Sequence, residues 1–167
     1  MTITQGAGIA AGRWTIDTAR SAARVTVSNF GFKRVTGTVP ITDASVVVDT
    51  DGLPGAVRAE LNLAAIDTGN QRRERDLAKP HLLNTARYPT MSFEGTGTVQ
   101  RVTGTLTVRG VAVPLDLAVT VSQSPDGTVT VHATTGFDRS PLGMKAPRLM
   151  IGGWIEVAIS AVFGRVG

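Results

Sequence analysis

At 167 residues, with 42% hydrophobic and 18% charged residues, the chain has the length and composition of one globular domain. It has no cysteine, which excludes disulfides, thiolate zinc sites and cysteine nucleophiles. The net charge of +4 invites a nucleic-acid partner, but aromatics are only 5% and the arginines are scattered apart from Arg72-Arg73-Glu74-Arg75, so no nucleic acid is expected.

Met1 to Gly12 contains no Lys or Arg and no apolar run long enough for a signal-peptide core. This stretch reads as a disordered tail ahead of a single domain over 1–167. No window approaches a membrane-spanning length. No integral membrane segment is therefore expected, and the default compartment is cytoplasmic.

From Trp14 onward, period-two alternation dominates. Strands are predicted from Trp14, over Arg24 to Ser28, over Val35 to Pro40 and over Ser45 to Asp49, where Asp49-Thr50-Asp51-Gly52 forms a turn. Val57 to Leu63 alternates most cleanly, with Val57, Ala59, Leu61 and Leu63 facing inward and Arg58, Glu60 and Asn62 outward. Asp67-Thr68-Gly69-Asn70 then leads into a charged stretch without alternation. This predicts a helix over Gln71 to Ala78, capped by Asp67 and Thr68, and a second helical turn over Pro80 to Asn84. Strands resume at Met91 to Glu94 and Gly104 to Arg109. In Val111 to Val121 every odd residue is apolar, against Asp116 and Thr120 on the other face. The turn Ser124-Pro125-Asp126-Gly127 precedes Thr128 to His132, and the last strand runs from Trp154 to Phe163. A Thr-Gly-Thr fragment followed by Val or Leu, at 36–39, 96–99 and 103–106, reads as hairpin chemistry.

About eight strands at short spacing mean a sandwich or a barrel. Several reach about ten residues, or roughly 33 Å. Inward positions are mostly Val, Ala and Leu, with few aromatics to fill an axis. That suits an elongated apolar tunnel, and a filled sandwich core serves the same pattern.

Reactive constellations are scarce. His81 and His132 are isolated, and no Walker, G-x-S-x-G or H-E-x-x-H sequence occurs. Gly95-Thr96-Gly97 lacks the third glycine of a dinucleotide loop. Asp17, Asp67, Asp76 and Asp138 could pair as acid and base, although exposed or turn-capping Asp is the commoner fate. No catalytic residue, metal site or cofactor is nominated.

Three segments together resemble the YceI-like polyisoprenoid-binding family. Trp14-Thr15-Ile16-Asp17 with Ser21 is similar to its opening W-x-I-D and downstream serine. Ala65-Ile66-Asp67-Thr68-Gly69-Asn70, then Arg73-Glu74-Arg75-Asp76-Leu77, then Tyr88-Pro89-Thr90-Met91-Ser92-Phe93 follows its central series in order. Gly104-Thr105-Leu106-Thr107-Val108-Arg109-Gly110-Val111 and Phe137-Asp138-Arg139-Ser140-Pro141-Leu142-Gly143 resemble its later motifs. The resemblance implies an all-β fold: an eight-stranded antiparallel lipocalin-like β-barrel with a short helical insertion. It also implies a long hydrophobic pore for an isoprenoid or other apolar lipid, and no catalysis.

Alternation within such a pore nominates Val25, Val27, Phe32, Leu61, Leu63, Met91, Phe93, Leu106, Leu117, Val119, Phe137, Val157 and Ile159 as lining. Arg73 and Arg139 are nominated for a headgroup, with an ion pair to Asp138 or Asp17 as the other role for Arg139. Asp76 replaces the family's usual His, Glu74 its Asp, Leu82-Leu83 its aromatic pair and Leu142 its Phe, which leaves headgroup identity open. The leading expectation is a carrier or sequestering protein, not an enzyme. The alternatives are a small hydrolase or isomerase using the same pocket, and a filled sandwich acting as an interaction module. Oligomeric state stays open, a homodimer included.

Overall fold

The computed structural model describes residues 9–29, 33–80, 82–138 and 154–166. In chain order these form β1 (Gly12–Ile16), β2 (Ala22–Asn29), β3 (Lys33–Val39), β4 (Ile41–Val48) and β5 (Pro54–Asn62). Helix α1 (Gln71–Leu77) follows, then β6 (Thr90–Gly97), β7 (Arg101–Val108), β8 (Val111–Gln123), β9 (Val129–Asp138) and β10 (Trp154–Arg165).

Each strand pairs antiparallel with its neighbours, and the ring β1-β4-β5-β6-β7-β8-β9-β10 closes where β10 returns to β1, with Trp14 opposite Arg165. β2 continues the line of β1, and β3 runs into β4. The architecture is therefore an eight-stranded barrel with two interrupted walls. The first interruption is the 3-10 turn Thr18–Arg20, where Asp17 Oδ1 accepts from Ala19 N at 3.1 Å and Oδ2 from Arg20 Nε at 2.8 Å. The turn adds residues to one wall only: the chain advances from Thr15 to Ala23 while its partner retreats from Ser45 to Val39. The second interruption is Pro40, which has no N–H to give to a ladder; its carbonyl accepts from Asn62 N at 2.8 Å.

Alternation sets which face is inside. Val113, Leu115, Leu117, Val119 and Val121 are buried while their even-numbered neighbours are exposed. Arg58 lies outside and meets Glu94 on the adjacent strand at 3.3 Å. The turns at 49–53 and 124–128 form as expected, with Gly52 at φ +81° and Gly127 at φ +88°. Asp49 Oδ1 accepts from Asp51 N and Leu53 N.

Four local expectations are corrected. Leu63 does not end a strand: pairing of β5 with β6 stops at Asn62 opposite Thr90, and Leu63–Ala65 forms a 3-10 turn. Leu63 remains buried. The helix cap is Asn70, whose side chain accepts from Arg73 N at 3.0 Å. Asp67 instead closes a turn onto Gly69 N at 2.9 Å, and Thr68 is bound by Glu74. Around 80–84 the described residues make hydrogen-bonded turns, not helix, with Leu82 N donating to Lys79 O and Leu83 N to Leu77 O. Of the Thr-Gly-Thr fragments, that at 96–99 does make a hairpin, with Gly97 ending β6 and Thr98 Oγ1 accepting from Gln100 N and Arg101 N, whereas Gly37 and Gly104 lie within strands. Gly104 pairs with Gly95, and both stand under the Phe93 ring. A methyl group at Gly95 would sit 2.8 Å from Phe93 Cζ.

Candidate functional site: an apolar tunnel with one charged mouth

Inward-facing side chains of all the strands enclose a cavity of about 530 Å³. An eight-stranded barrel is wide enough for one small ligand when its side chains do not fill the axis. Here the lining is almost wholly aliphatic, with Trp14, Phe93, Phe137 and Phe163 as its aromatics.

Of the residues nominated from sequence, Val25 and Val27 (β2), Leu61 (β5), Leu63, Met91 and Phe93 (β6), Leu106 (β7), Leu117 and Val119 (β8), Phe137 (β9), and Val157 and Ile159 (β10) all face this cavity. Phe32 and Arg139 lie outside the described residues, as does His81. Arg73 also lines the cavity; it is half-buried, with its guanidinium 3.5 Å from the Thr68 carbonyl.

The two ends differ. At the end bearing the turns 49–53, 98–100 and 124–128, the lining residues Trp14, Val48, Val102, Val121, Val129 and Phe163 are buried, with Ile9 and Val99 half-buried and Thr98 exposed at its edge. Trp14 is pinned there by its indole Nε1, which donates to Ala10 O at 3.0 Å. Arg165 Nη2 donates to Ala11 O at 2.6 Å, so residues within the expected tail pack across this end. At the other end, Val25, Val27, Ile66, Thr68, Arg73 and Leu77 are only half-buried. This second end is the mouth.

The insertion at 63–89 stands over the mouth, held by two routes. Thr38 and Asp67 exchange backbone hydrogen bonds of 2.8 and 2.9 Å, docking the segment on β3. Gly37 makes room for it, since a methyl there would lie 3.1 Å from Thr68 Cγ2 and 3.2 Å from Ile66 Cγ1. Glu74 Oε2 then accepts from Thr68 N at 2.8 Å, Thr68 Oγ1 at 3.1 Å and Asn70 N at 3.3 Å. These bonds, that from Thr68 N foremost, hold the Glu74 carboxyl below its ordinary range.

No carboxylate lines the cavity among the described residues. Asp17 and Asp76 are held below the usual carboxylate range by Arg20 and Lys79 respectively, each through a hydrogen bond on the protein surface. Asp67, Asp76 and Asp138 are exposed, Asp17 is half-buried, and the four lie on separate elements. His132 is exposed on β9, and no cluster suited to a metal occurs among the described residues.

Sequence reading missed Trp14 as part of the lining, along with Val39, Ile41, Ala44, Phe163 and Leu83. Trp14 was legible as the only aromatic of the first strand. The inward role of Leu83 depends on turns that no periodicity announces.

The YceI-like domain family matches residues 14–163. A UPF0312 protein of Azotobacter vinelandii is 32% identical over 100 residues, 55% of this chain and 52% of its own. Protein YceI of Escherichia coli O157:H7 is 31% identical over 108 residues, 60% and 56% respectively. These alignments thus span about half the length of the curated relatives. Among solved structures, Burkholderia cenocepacia BcnA superposes with a TM-score of 0.78 at 19% identity, over 88% of this chain and 98% of its own. A polyisoprenoid-binding domain from Saccharophagus degradans, implicated in plant cell wall breakdown, gives 0.76 at 15% identity, over 92% and 98%.

Proposed function

From a chain that belongs to the YceI-like domain family and encloses an aliphatic tunnel closed at one end, we propose a binding protein for a long apolar lipid of isoprenoid type, acting as carrier or sequestering protein. The observation that carries this reading is the tunnel itself. Burial of apolar surface is worth about 25 cal/mol per Å², and a chain drawn through the barrel axis is desolvated along its length. The polyisoprenoid-binding neighbour from Saccharophagus degradans supports the same ligand class. The chain enters tail-first and stops against Trp14, Val48 and Phe163. Arg73 and Thr68 then meet its polar head at the mouth. A lining without carboxylates, among the described residues, suits partitioning better than proton transfer.

Native mass spectrometry of gently purified protein tests the reading, followed by titration with linear isoprenols of increasing length. A co-purifying apolar mass, or saturable one-to-one binding of a long isoprenol, is expected. Protein that neither carries an apolar mass nor binds any isoprenol would sink it.

A further inference from the structure

The excess of cations among the described residues lies at one end of this barrel. The insertion at 63–89 carries Arg72, Arg73, Arg75, Lys79 and Arg87 against Asp67, Glu74 and Asp76. All three carboxylates are engaged inside the insertion: Glu74 with Thr68 and Asn70, Asp67 with Gly69 N, and Asp76 with Lys79 at 3.1 Å. Arg72, Arg75 and Arg87 are exposed. Arg109, in the neighbouring β7–β8 turn, reaches the insertion through Pro80 O at 2.6 Å. At the closed end Asp49, Asp51 and Asp126 in the turns, with Asp17 and Asp116, offset Arg13, Arg20, Arg101 and Arg165. A net charge of +4 alone would leave the direction of this asymmetry unknown; the strand order supplies it.

A second feature shares the rim. Trp154 begins β10 beside the mouth, opposite Asp138 of β9, and points outward, 54% exposed. Its indole lies across Gly136, where a methyl would come within 2.7 Å of the ring. An amphipathic ring at the edge of a cationic face is the pairing found where proteins meet lipid headgroups.

We infer that the mouth end is a docking surface for an anionic lipid bilayer, with the insertion cations facing the headgroups and Trp154 entering the interfacial layer. A bilayer suits this face better than a polyanion in solution. The cations surround the opening of an apolar tunnel, so contact there would let an apolar chain leave the hydrocarbon without crossing water. The inference concerns the rim and does not need the tunnel's ligand to be identified, although transfer between the two rests on the isoprenoid reading.

The test is co-sedimentation of the full chain with phosphatidylcholine vesicles with and without phosphatidylglycerol, at low and high salt. Binding is expected only with phosphatidylglycerol, and it should be screened at high salt. Replacing Arg72→Gln, Arg75→Gln and Arg87→Gln together should weaken it by about tenfold or more. Trp154→Ser should weaken it at unchanged net charge. Asp49→Asn with Asp51→Asn at the closed end should leave it unchanged. Arg73 is excluded because it lines the tunnel. Thermal melts establish that each variant folds, as expected for exposed positions. Absence of anionic-vesicle binding overturns the inference, as does binding indifferent to the three arginines, or a higher affinity for single-stranded DNA than for vesicles. Isoprenol titration of the triple variant separates the two readings: wild-type isoprenol binding with lost vesicle binding confines the effect to the rim. Vesicle binding by a protein that takes no isoprenol leaves the docking surface standing and removes the tunnel's ligand.

Discussion

Phe93 and the glycines beneath it show how much of the tunnel is decided by single residues. Gly95 and Gly104 face each other across β6 and β7, and the ring folds flat over both. A methyl group at Gly104 would meet Glu94 O and lie 2.7 Å from Phe93 Cζ. Gly104→Ala should therefore cost about 1–3 kcal/mol, as overpacking does, read as a lower midpoint in urea. An unchanged midpoint would mean that the wall yields without cost. Gly104 was visible in a Thr-Gly-Thr fragment and Gly95 in Gly95-Thr96-Gly97, but their partnership was not, because it depends on a register between strands. Glu74 gives the second prediction at this scale. Its carboxyl is held below its ordinary value of 4.5 by bonds made only in the folded chain, so it stabilises the insertion above that pH. That contribution is lost as pH falls below 4.5 through the lowered folded value. The nearby Arg73 guanidinium also lowers it. Amide exchange at Thr68 and Asn70, corrected for intrinsic rates, should accelerate in that acid window, and Glu74→Gln should remove the pH dependence.

At the scale of elements, the insertion at 63–89 is where alternation stops and where the structure adds most to the sequence. Its position and the start of α1 were legible from lost periodicity and helix-forming residues. Its cap was not, since Asp67, Thr68 and Asn70 are all competent and only the path of the chain selects Asn70. The two broken walls were half legible: Pro40 announces a break, but Asp17 to Ser21 reads as ordinary linker until the extra residues are counted against a partner strand. Because the insertion stands over the mouth and supplies Thr68, Arg73 and Leu77 to the lining, an occupied tunnel should slow hydrogen exchange in 66–78. Equal protection with and without isoprenol would show that the segment takes no part in holding the ligand.

For the whole molecule, alternation along β5 and β8 carried the barrel and its inner face, whereas hollow versus filled was not readable from pattern. The enclosed cavity makes a distinction that mutation can test. Leu117→Trp and Val157→Trp place an indole in space that is empty without ligand. Isoprenol binding should weaken by about tenfold or more, while the melting temperature of the unliganded protein moves little, in contrast to the loss of about 1–3 kcal/mol expected in a packed core. A large fall in unliganded stability would mean that the axis is already occupied by side chains. The closure of the ring has a further consequence. Seven of the eight seams join walls that follow one another in the chain, but the seam at Trp14 and Arg165 joins its opposite ends, where Val166 N also donates to Arg13 O at 2.8 Å. Seven seams can therefore zip locally, while the eighth must close a loop almost as long as the chain and is the natural candidate for the slow event in folding. A circular permutant that bridges those ends and opens the 124–128 turn transfers that burden to β8 and β9, leaving the finished barrel the same.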